Sequence, residues 1–273
     1  SLKPNCIWFR GLPEDGAHVE RLDLAIPNLP EELSGVTILF ASDIHAGFTF
    51  PEAAQEQLVR QIEALAPDMV LWGGDFAETR GDAANLFKKI ARLKPPMGMA
   101  GVIGNNDRRA FQGAMDELER LMEQAGVKLL LNGRWERPVP GGELALLGLD
   151  EDYYGEPDAS ILDRRGRGEH ADDGLAILLS HSPVPLDGLI GKFAPPDLIL
   201  SGHTHGGQMR IFGLSLYSFG YDRARRRQRF FAVRGLKREA GAVLMVSGGL
   251  GSSKIPLRIH CPPEMQLITL HKK

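Results

Sequence analysis

The amino-acid sequence predicts an α/β fold, because short apolar strands alternate with segments of helical spacing. Residues 36–41 are dominated by β-forming apolar side chains, which predicts a strand buried on both faces. Residues 51–65 repeat apolar side chains at helical spacing, and Pro67 ends this helix just before a second strand at 69–72. Carboxylate, imidazole and amide side chains come directly after several of the predicted strands. We therefore expect a functional site along the edge of the sheets where these strands end.

The alternation continues along the rest of the chain. Helices are predicted near 83–93 and at 111–124, and residues 19–26 alternate apolar and polar side chains as an edge strand does. Further strands are predicted at 99–103, 127–131, 144–149, 175–179, 197–201, 243–247 and 265–270. A Pro-Gly-Gly turn at 140–142 favours antiparallel pairing of the strands at 127–131 and 144–149.

The composition is that of one globular domain over residues 1–273. Hydrophobic residues make up 43% and charged residues 25%, which excludes a disordered or fibrous chain. A net charge of −3 gives no reason to expect a nucleic-acid partner. Cys6 and Cys261 lie far apart in the sequence and do not indicate a disulfide framework or a thiolate metal site. The polar, glycine-bearing segment 151–174 is either a mobile surface loop or a solvated connection without function.

No apolar run approaches the roughly 20 residues that span a bilayer, and there is no signal-peptide pattern. We therefore expect a soluble, cytoplasmic protein. Because the chain begins at Ser1 without a methionine, an upstream anchor or export signal is an open alternative.

Candidate metal ligands stand at the ends of predicted strands. The turn 202–209 carries two histidines one residue apart among glycines, and by itself it is equally well an ordinary surface loop. Together with the other strand ends it gives seven candidates, namely Asp43, His45, Asp75, Asn105, His181, His203 and His205. Four imidazoles, two carboxylates and one amide oxygen suit Mn²⁺, Fe or Zn²⁺, and they are too many for one tetrahedral ion.

The order Asp-x-His, Gly-Asp, Gly-Asn-x-Asp, His and Gly-His-x-His over residues 43–205 resembles the calcineurin-like metallophosphoesterase superfamily. The wider sequence, including the segments 27–30, 203–208 and 249–264, looks like its YkuE-type branch. Part of that branch and its relatives act as UDP-2,3-diacylglucosamine diphosphatases in lipid A synthesis. The resemblance implies a four-layer α/β/β/α sandwich of two mixed sheets. It also implies two divalent ions, with Mn²⁺ expected first, and a nucleophile generated at the metals rather than on the protein.

The resemblance assigns each ligand to an ion. One ion takes Asp43, His45, Asp75 and His205, and the other takes Asp75, Asn105, His181 and His203, so that Asp75 bridges the pair.

One departure from the family pattern bears on the substrate. The family usually has a histidine after the metal-binding asparagine, where this chain has Asn106 followed by Asp107. Asparagine cannot act as a general acid near neutral pH. A departing phosphate is a stable anion, with a second pKa near ~6, so the substitution favours diphosphate cleavage over hydrolysis of alkyl phosphodiesters. Alternatively, Asn106 binds substrate and His181 or water supplies the proton.

Candidate catalytic residues are therefore Asn106, Asp107 and His181, and candidate substrate-binding residues are Arg108 and Arg109. The leading hypothesis is hydrolysis of the pyrophosphate of UDP-2,3-diacylglucosamine to UMP and lipid X. A general metal-dependent phosphodiesterase or phosphatase acting on nucleotides or phospholipid headgroups is the first alternative. A catalytically silent metal-binding scaffold is the second, since a fold does not fix a function.

The segment 209–231 has an unusual composition, with aromatic and aliphatic residues followed by five arginines between Arg223 and Arg229. It is either an insertion that contacts a membrane surface and its lipid substrate, or a hairpin whose apolar face is core and whose arginines are solvated. The first alternative would place the protein peripherally on the inner membrane face.

Overall fold

The computed structural model describes residues 7–27, 29–162, 174–183, 195–210, 214–215, 233–239 and 242–273. Its strands are β1 (Ile7–Phe9), β2 (His18–Ile26), β3 (Thr37–Ala41), β4 (Met69–Trp72), β5 (Met99–Gly101), β6 (Val127–Leu129), β7 (Gly133–Val139), β8 (Gly142–Gly148), β9 (Gly174–Leu179), β10 (Leu198–Ser201), β11 (Gly235–Glu239), β12 (Ala242–Val246), β13 (Leu257–Ile259) and β14 (Glu264–Lys272). Its α-helices are α1 (Glu52–Leu65), α2 (Arg80–Ile90), α3 (Asn105–Ala110) and α4 (Met115–Gln124).

Two six-stranded mixed sheets form the core of the fold. The first has the order β2-β14-β3-β4-β5-β6, and the second has the order β11-β12-β10-β9-β8-β7. Within the first sheet β3 to β6 are parallel neighbours, and within the second β8, β9, β10 and β12 are. A small antiparallel pair, β1 with β13, stands apart from both sheets. The predicted edge strand is confirmed, because β2 lies at the end of the first sheet.

The sheets pack face to face. Successive side chains along a strand point to opposite faces of its sheet, and apolar side chains are buried on both faces. In β3, Ile38 and Phe40 join the cluster between the sheets, whereas Leu39 points to the cluster under α1, α2 and α4. In β9, Ile177 faces the first sheet and Leu178 faces a third cluster on the outer side. Strands buried on both faces must be apolar throughout, which is why they appear as continuous hydrophobic runs in the sequence. The predicted architecture of two mixed sheets in an α/β fold is confirmed.

Several element boundaries differ from the sequence prediction. α2 begins at Arg80, three residues before the apolar spacing does, because the Thr79 side chain accepts a hydrogen bond from the Asp82 backbone N–H and caps the helix. The predicted helix 111–124 is only α4, since residues 111–114 form a turn after α3. Asn105, expected in a loop, instead begins α3.

The predicted pairing across the Pro-Gly-Gly turn was wrong. β6 pairs in parallel with β5 in the first sheet, whereas β8 belongs to the second sheet. The turn joins β8 to β7, an antiparallel edge strand that the sequence did not reveal. β7 is polar and contains Pro138, and proline lacks the N–H that an inner strand needs, so it belongs at an edge.

No helix in the described part of the chain is both long and apolar enough to cross a membrane. Residues 163–173 of the predicted surface loop and most of the segment 209–231, including the five arginines from Arg223 to Arg229, lie outside the described residues.

Candidate metal centre

The seven predicted ligands meet where strand ends of the two sheets come together. β3, β4 and β5 of the first sheet lead to Asp43, His45, Asp75 and Asn105, and β9 and β10 of the second lead to His181, His203 and His205. Backbone hydrogen bonds lock the loops to one another: the Asp43 N–H donates to Gly74 O at 2.9 Å, and the Gly202 N–H donates to His181 O at 2.9 Å. A side chain at Gly202 would collide with the Asp43 carboxylate, so only glycine lets the two sheets approach this closely.

Five of the seven residues adopt left-handed backbone conformations. Their φ angles are 55° for Asp43, 48° for His45, 54° for Asp75, 69° for His203 and 51° for His205. Such angles are uncommon for residues other than glycine, cost free energy, and concentrate at functional sites. The backbone is therefore bent so that these side chains point at one another.

One group of ligand atoms comprises Asp43, His45 and His205, whose donor atoms all lie within 4.8 Å of one another. The His45 Nε2 and His205 Nε2 atoms are 3.1 Å apart, and His205 Nε2 is 3.4 Å from Asp43 Oδ1. All three side chains are buried, with His45 and Asp43 fully excluded from solvent. Two imidazole nitrogens and a carboxylate oxygen that converge in a buried space make a suitable site for a divalent cation.

A second group lies beside the first. His181 Nε2 is 3.2 Å from His203 Nδ1 and 3.5 Å from Asp75 Oδ2. The side-chain oxygen of Asn105 is buried and has no hydrogen-bond partner among the described residues. A buried polar atom without a partner costs free energy, and a cation would satisfy it. The donor set therefore fits two divalent ions.

Asp75 lies between the two groups. Its Oδ2 atom is 3.4 Å from His45 Nε2 and 3.5 Å from His181 Nε2, so one oxygen faces both. Asn106 fixes the carboxylate from the other side, with its backbone N–H donating to Oδ1 at 2.8 Å and its Nδ2 donating to Oδ2 at 2.6 Å. This is the position that a bridging ligand requires.

The electrostatics of the cluster differ from ligand to ligand: burial, with His45 and Arg258 nearby, holds the pKa of His205 well below its usual value, whereas His181 is shifted the other way. Burial lowers the pKa of His181, but the carboxylates of Asp75 and Asp43 more than offset this and raise it to about 10. Burial raises the pKa of Asp75, yet the neighbouring His181 and His45 hold it well below its usual value. Burial and the neighbouring Asp75 raise the pKa of Asp43, so Asp75 is the carboxylate of the pair that retains its charge most firmly. A buried carboxylate that stays charged beside imidazoles is a group for which divalent cations compete with protons.

In three of the imidazoles, the ring nitrogen that points away from the ligand cluster also has a hydrogen-bond partner. His45 Nδ1 is 2.6 Å from Glu78 Oε1, His181 Nδ1 donates to Gly73 O at 2.7 Å, and His203 Nε2 is 3.2 Å from the Tyr153 hydroxyl. An acceptor behind an imidazole fixes the tautomer whose other nitrogen is free to bind a metal.

His205 has a different neighbour behind it. The buried guanidinium of Arg258 places Nη2 3.3 Å from His205 Nδ1 and donates to the carbonyl oxygens of Gly248 and Gly251. A guanidinium can only donate, so here Nδ1 is the acceptor. A metal bound through Nε2 would require the ring proton on Nδ1, so the hydrogen bond from Arg258 would be lost while its bonds to the two carbonyl oxygens remain.

Asp107 does not face the ligand cluster. Its Oδ2 atom accepts from the backbone N–H groups of Asp75 at 2.7 Å and Gly104 at 2.9 Å, and its Oδ1 accepts from that of Phe76 at 2.8 Å. The carboxylate caps α3 and ties it to the loop that carries Asp75. Contact with a substrate would require these bonds to be given up.

The two arginines differ in their surroundings. Arg108 pairs with both carboxylate oxygens of Asp150 and lies 3.7 Å from Glu151, so its charge is neutralised. Arg109 keeps a 52% exposed side chain, donates to Asn106 Oδ1 and reaches Glu78 only at 3.7 Å. Arg109 is thus the one of the pair that is available to a substrate.

Sequence reasoning missed Glu78, Tyr153 and Arg258. Glu78 follows Asp75 by three residues, and Tyr153 belongs to an aromatic pair inside a polar segment, which is a weak signal for a binding loop. Nothing in the sequence indicates that Arg258 is buried.

A family model described as calcineurin-like phosphoesterase matches residues 36–207. The chain belongs to this family. It is accordingly a metal-dependent phosphoester hydrolase of a family with a binuclear metal centre, and the described residues contain candidate ligand groups for metal ions.

Relatives extend over most of the chain. YpbG of Bacillus subtilis (strain 168) is 29% identical over 86% of this chain and 81% of its own length. The metallophosphoesterase YkuE of the same organism is 26% identical over 89% of this chain and 81% of its own. A Danio rerio protein named "Transmembrane protein with metallophosphoesterase domain" is 27% identical over 91% of this chain, which spans only 56% of that protein. Similarity at this level does not single out one branch, so the YkuE-type assignment stays a prediction.

Among solved structures, the sulfate thiohydrolase SoxB of Thermus thermophilus superposes with a TM-score of 0.51. It is 15% identical, and the match covers 89% of this chain and 57% of SoxB. At this identity the likeness shows the shared fold alone.

Proposed function

We propose that the protein is a two-metal hydrolase that cleaves a pyrophosphate bond, with Asp43, His45, Asp75 and His205 holding one ion and Asp75, Asn105, His181 and His203 the other. The observation that carries the proposal is that Asp75 Oδ2 faces both His45 and His181 beside two groups of converging donor atoms, while the Asn105 oxygen is buried without a partner among the described residues. Two divalent ions bound there would supply an activated water and screen negative charge during an in-line displacement. Mn²⁺ is the first choice, with Fe and Zn²⁺ as alternatives.

Asn106 supports a pyrophosphate substrate. Its Nδ2 donates to Asp75 and its Oδ1 accepts from Arg109, so the amide is engaged on both sides and offers no transferable proton. A leaving phosphate is stable without protonation, whereas an alkoxide is not. We assign Asn106 to orienting Asp75, and we assign Asp107 to holding the loop of Asp75.

The substrate that we propose is UDP-2,3-diacylglucosamine, hydrolysed to UMP and lipid X. Support comes from the resemblance to the YkuE-type branch and from the engaged amide of Asn106. A general phosphodiesterase or phosphatase acting on nucleotides or phospholipid headgroups is the alternative, because the same metal centre serves either reaction.

A lipid-linked substrate fits a second feature of the surface, which we call the apolar rim. It consists of Ile7, Phe9, Phe48 and Ile255, whose side chains are 50% to 70% exposed. The rim adjoins the metal centre, since the Thr49 hydroxyl donates to His45 O and Gln208 donates to Ile255 O. We propose that it contacts a membrane surface peripherally. The name of the Danio rerio relative is in keeping with a membrane setting.

Two substrates test these proposals. Mn²⁺-dependent release of nitrophenol from bis(p-nitrophenyl) phosphate separates an enzyme from a silent scaffold, and full occupancy by two ions without any turnover would favour the scaffold. Release of UMP from UDP-2,3-diacylglucosamine, compared with nucleotide and phospholipid diesters, separates the specific hydrolase from the general one.

A further inference from the structure

We infer that a cavity beside the metal centre is the subsite for the leaving group and that it takes an organic monophosphate. The cavity measures about 390 Å³ and is lined by Arg108, Arg109, Gln112, Gly113, Met115 and Tyr154. This volume lies within the usual range of small-molecule sites. The inference rests on the proposed function in one respect, which is that the bond is broken at the metal pair.

Arg109 connects the cavity to the metal centre. Its guanidinium lines the cavity and donates to Asn106 Oδ1, while Asn106 Nδ2 donates to Asp75 Oδ2 at 2.6 Å. A single side chain therefore separates the cavity from the bridging carboxylate. In our proposal, the phosphorus atom is attacked at the metal centre that Asp75 bridges, and the leaving group enters this cavity.

The charges of the cavity select an anion. The close pair with Asp150 neutralises Arg108, whereas Arg109 has only Glu78 at 3.7 Å and a 52% exposed side chain, so Arg109 supplies the exposed positive charge of the wall. A planar guanidinium can donate two parallel hydrogen bonds to a phosphate, which adds geometric specificity to the attraction.

A turn built on Arg108 places two tyrosines at the site. The buried carboxylate of Glu151 accepts from the backbone N–H groups of Tyr153 and Tyr154 at 2.8 Å each, and Asp150 accepts from Arg108 of α3. Since α3 also carries Asn105, the turn and the metal centre share one support. The predicted substrate-binding role of Arg108 is therefore replaced, in our proposal, by positioning of this turn.

The tyrosines face different parts of a substrate. The Tyr153 hydroxyl lies 3.2 Å from His203 Nε2, so Tyr153 stands on the metal-centre side of the turn. Tyr154 is 63% exposed and forms a wall of the cavity together with Met115. A large exposed ring beside an arginine packs favourably against the organic part of a phosphate monoester.

The reaction balances as follows. A water oxygen, which the two ions would activate when bound, forms a bond to the phosphorus, and the bridging P–O bond breaks. The electron pair stays on the bridging oxygen, which becomes a terminal oxygen of the second monophosphate beside Arg109. The protons of water pass to solvent and to phosphate oxygens, whose second pKa is near ~6.

Binding of products tests the subsite separately from turnover. We would titrate the Mn²⁺-loaded protein with three ligands by calorimetry. Uridine 5′-monophosphate has a planar organic part, glycerol 3-phosphate has a small one, and orthophosphate has none. We expect Arg109→Ala to weaken binding of both monoesters about 10- to 100-fold, as for lost hydrogen bonds to a charged group. Tyr154→Ala should weaken the nucleotide at least ~5-fold and leave orthophosphate unaffected, and Tyr154→Phe should restore the nucleotide.

The control is Arg120→Ala on α4, an exposed arginine whose Nε contacts only the backbone of its own helix among the described residues. It should bind all three ligands as the wild type does. Equal affinity for the monoesters and orthophosphate, or unchanged binding in both cavity variants, would overturn the subsite. If the wild type neither hydrolysed bis(p-nitrophenyl) phosphate nor released UMP from UDP-2,3-diacylglucosamine, the proposed function would be overturned instead, so the two failures are distinguishable.

Discussion

Asp75 is the residue on which both metal groups depend. One of its oxygens faces His45 and His181 at 3.4 and 3.5 Å, so in the proposed centre its removal would take a ligand from each ion and leave two cations without the charge between them. We expect Asp75→Ala to retain one ion or none and to lose nearly all activity. Elemental analysis checks the metal content, with Asp116→Ala on α4 as a surface control, and two retained ions would refute the bridging assignment.

In the proposed reaction, Asn106 bears on which leaving groups the enzyme tolerates. General-acid catalysis contributes ~10²–10⁴-fold only where the transition state needs a proton. We expect Asn106→His to raise kcat/KM on alkyl phosphodiesters more than on pyrophosphates, because an imidazole at this position can protonate an alkoxide. Equal changes for both substrate classes would show that the leaving group does not explain the asparagine.

His181 makes metal binding depend on pH. Its pKa is raised to about 10, so without metal its ring is protonated at neutral pH, and ligation through Nε2 must displace that proton. Affinity for Mn²⁺ should therefore fall as pH falls. Calorimetry in buffers of different ionisation enthalpy measures the protons released at neutral pH, and a titration without proton release would contradict the ligand role of His181.

At the scale of elements, the sequence predicted what local patterns encode and missed what distant contacts decide. β3, β4 and β9 were predicted from apolar runs, and the ligands follow from their positions at strand ends. The partner of β8 was not predicted, because whether a strand joins the first or the second sheet depends on packing rather than on its own side chains. Tyr153 was missed for the same reason, since the carboxylate that holds its turn is supported by Arg108 of another element.

Asp107 connects two elements of the fold, so we expect its removal to lower the stability of the protein. The carboxylate accepts three backbone N–H groups of α3 and the Asp75 loop, and each buried donor left without a partner costs about 1–3 kcal/mol. We expect Asp107→Ala to lower the free energy of unfolding by at least ~3 kcal/mol. Urea unfolding with a chelator present isolates this effect from metal binding, and a loss no larger than that of Asp116→Ala would contradict it.

At the scale of the whole molecule, the apolar rim stands beside the metal centre without acidic residues of its own. The three segments that form it, 7–12, 46–51 and 252–260, contain no aspartate or glutamate but include Arg10 and Lys254. Arg10 also stacks on Phe48 with its guanidinium carbon 4.5 Å from the ring centre. Apolar rings beside basic groups are the combination that binds anionic lipid surfaces, each basic residue contributing about 1 kcal/mol near the surface.

The rim therefore predicts binding to anionic vesicles that weakens as salt rises. The double variant Phe9→Ser/Phe48→Ser should sediment less with such vesicles, because two exposed rings no longer enter the lipid boundary. Leu236→Ser is the matched control, since Leu236 is 46% exposed on the edge strand β11 of the second sheet. Equal loss in both variants would mean that general surface hydrophobicity, and not the rim, determines binding. Full binding by the double variant would direct attention to residues 211–229, whose arginines can be tested by changing Arg225, Arg226 and Arg227 to serine.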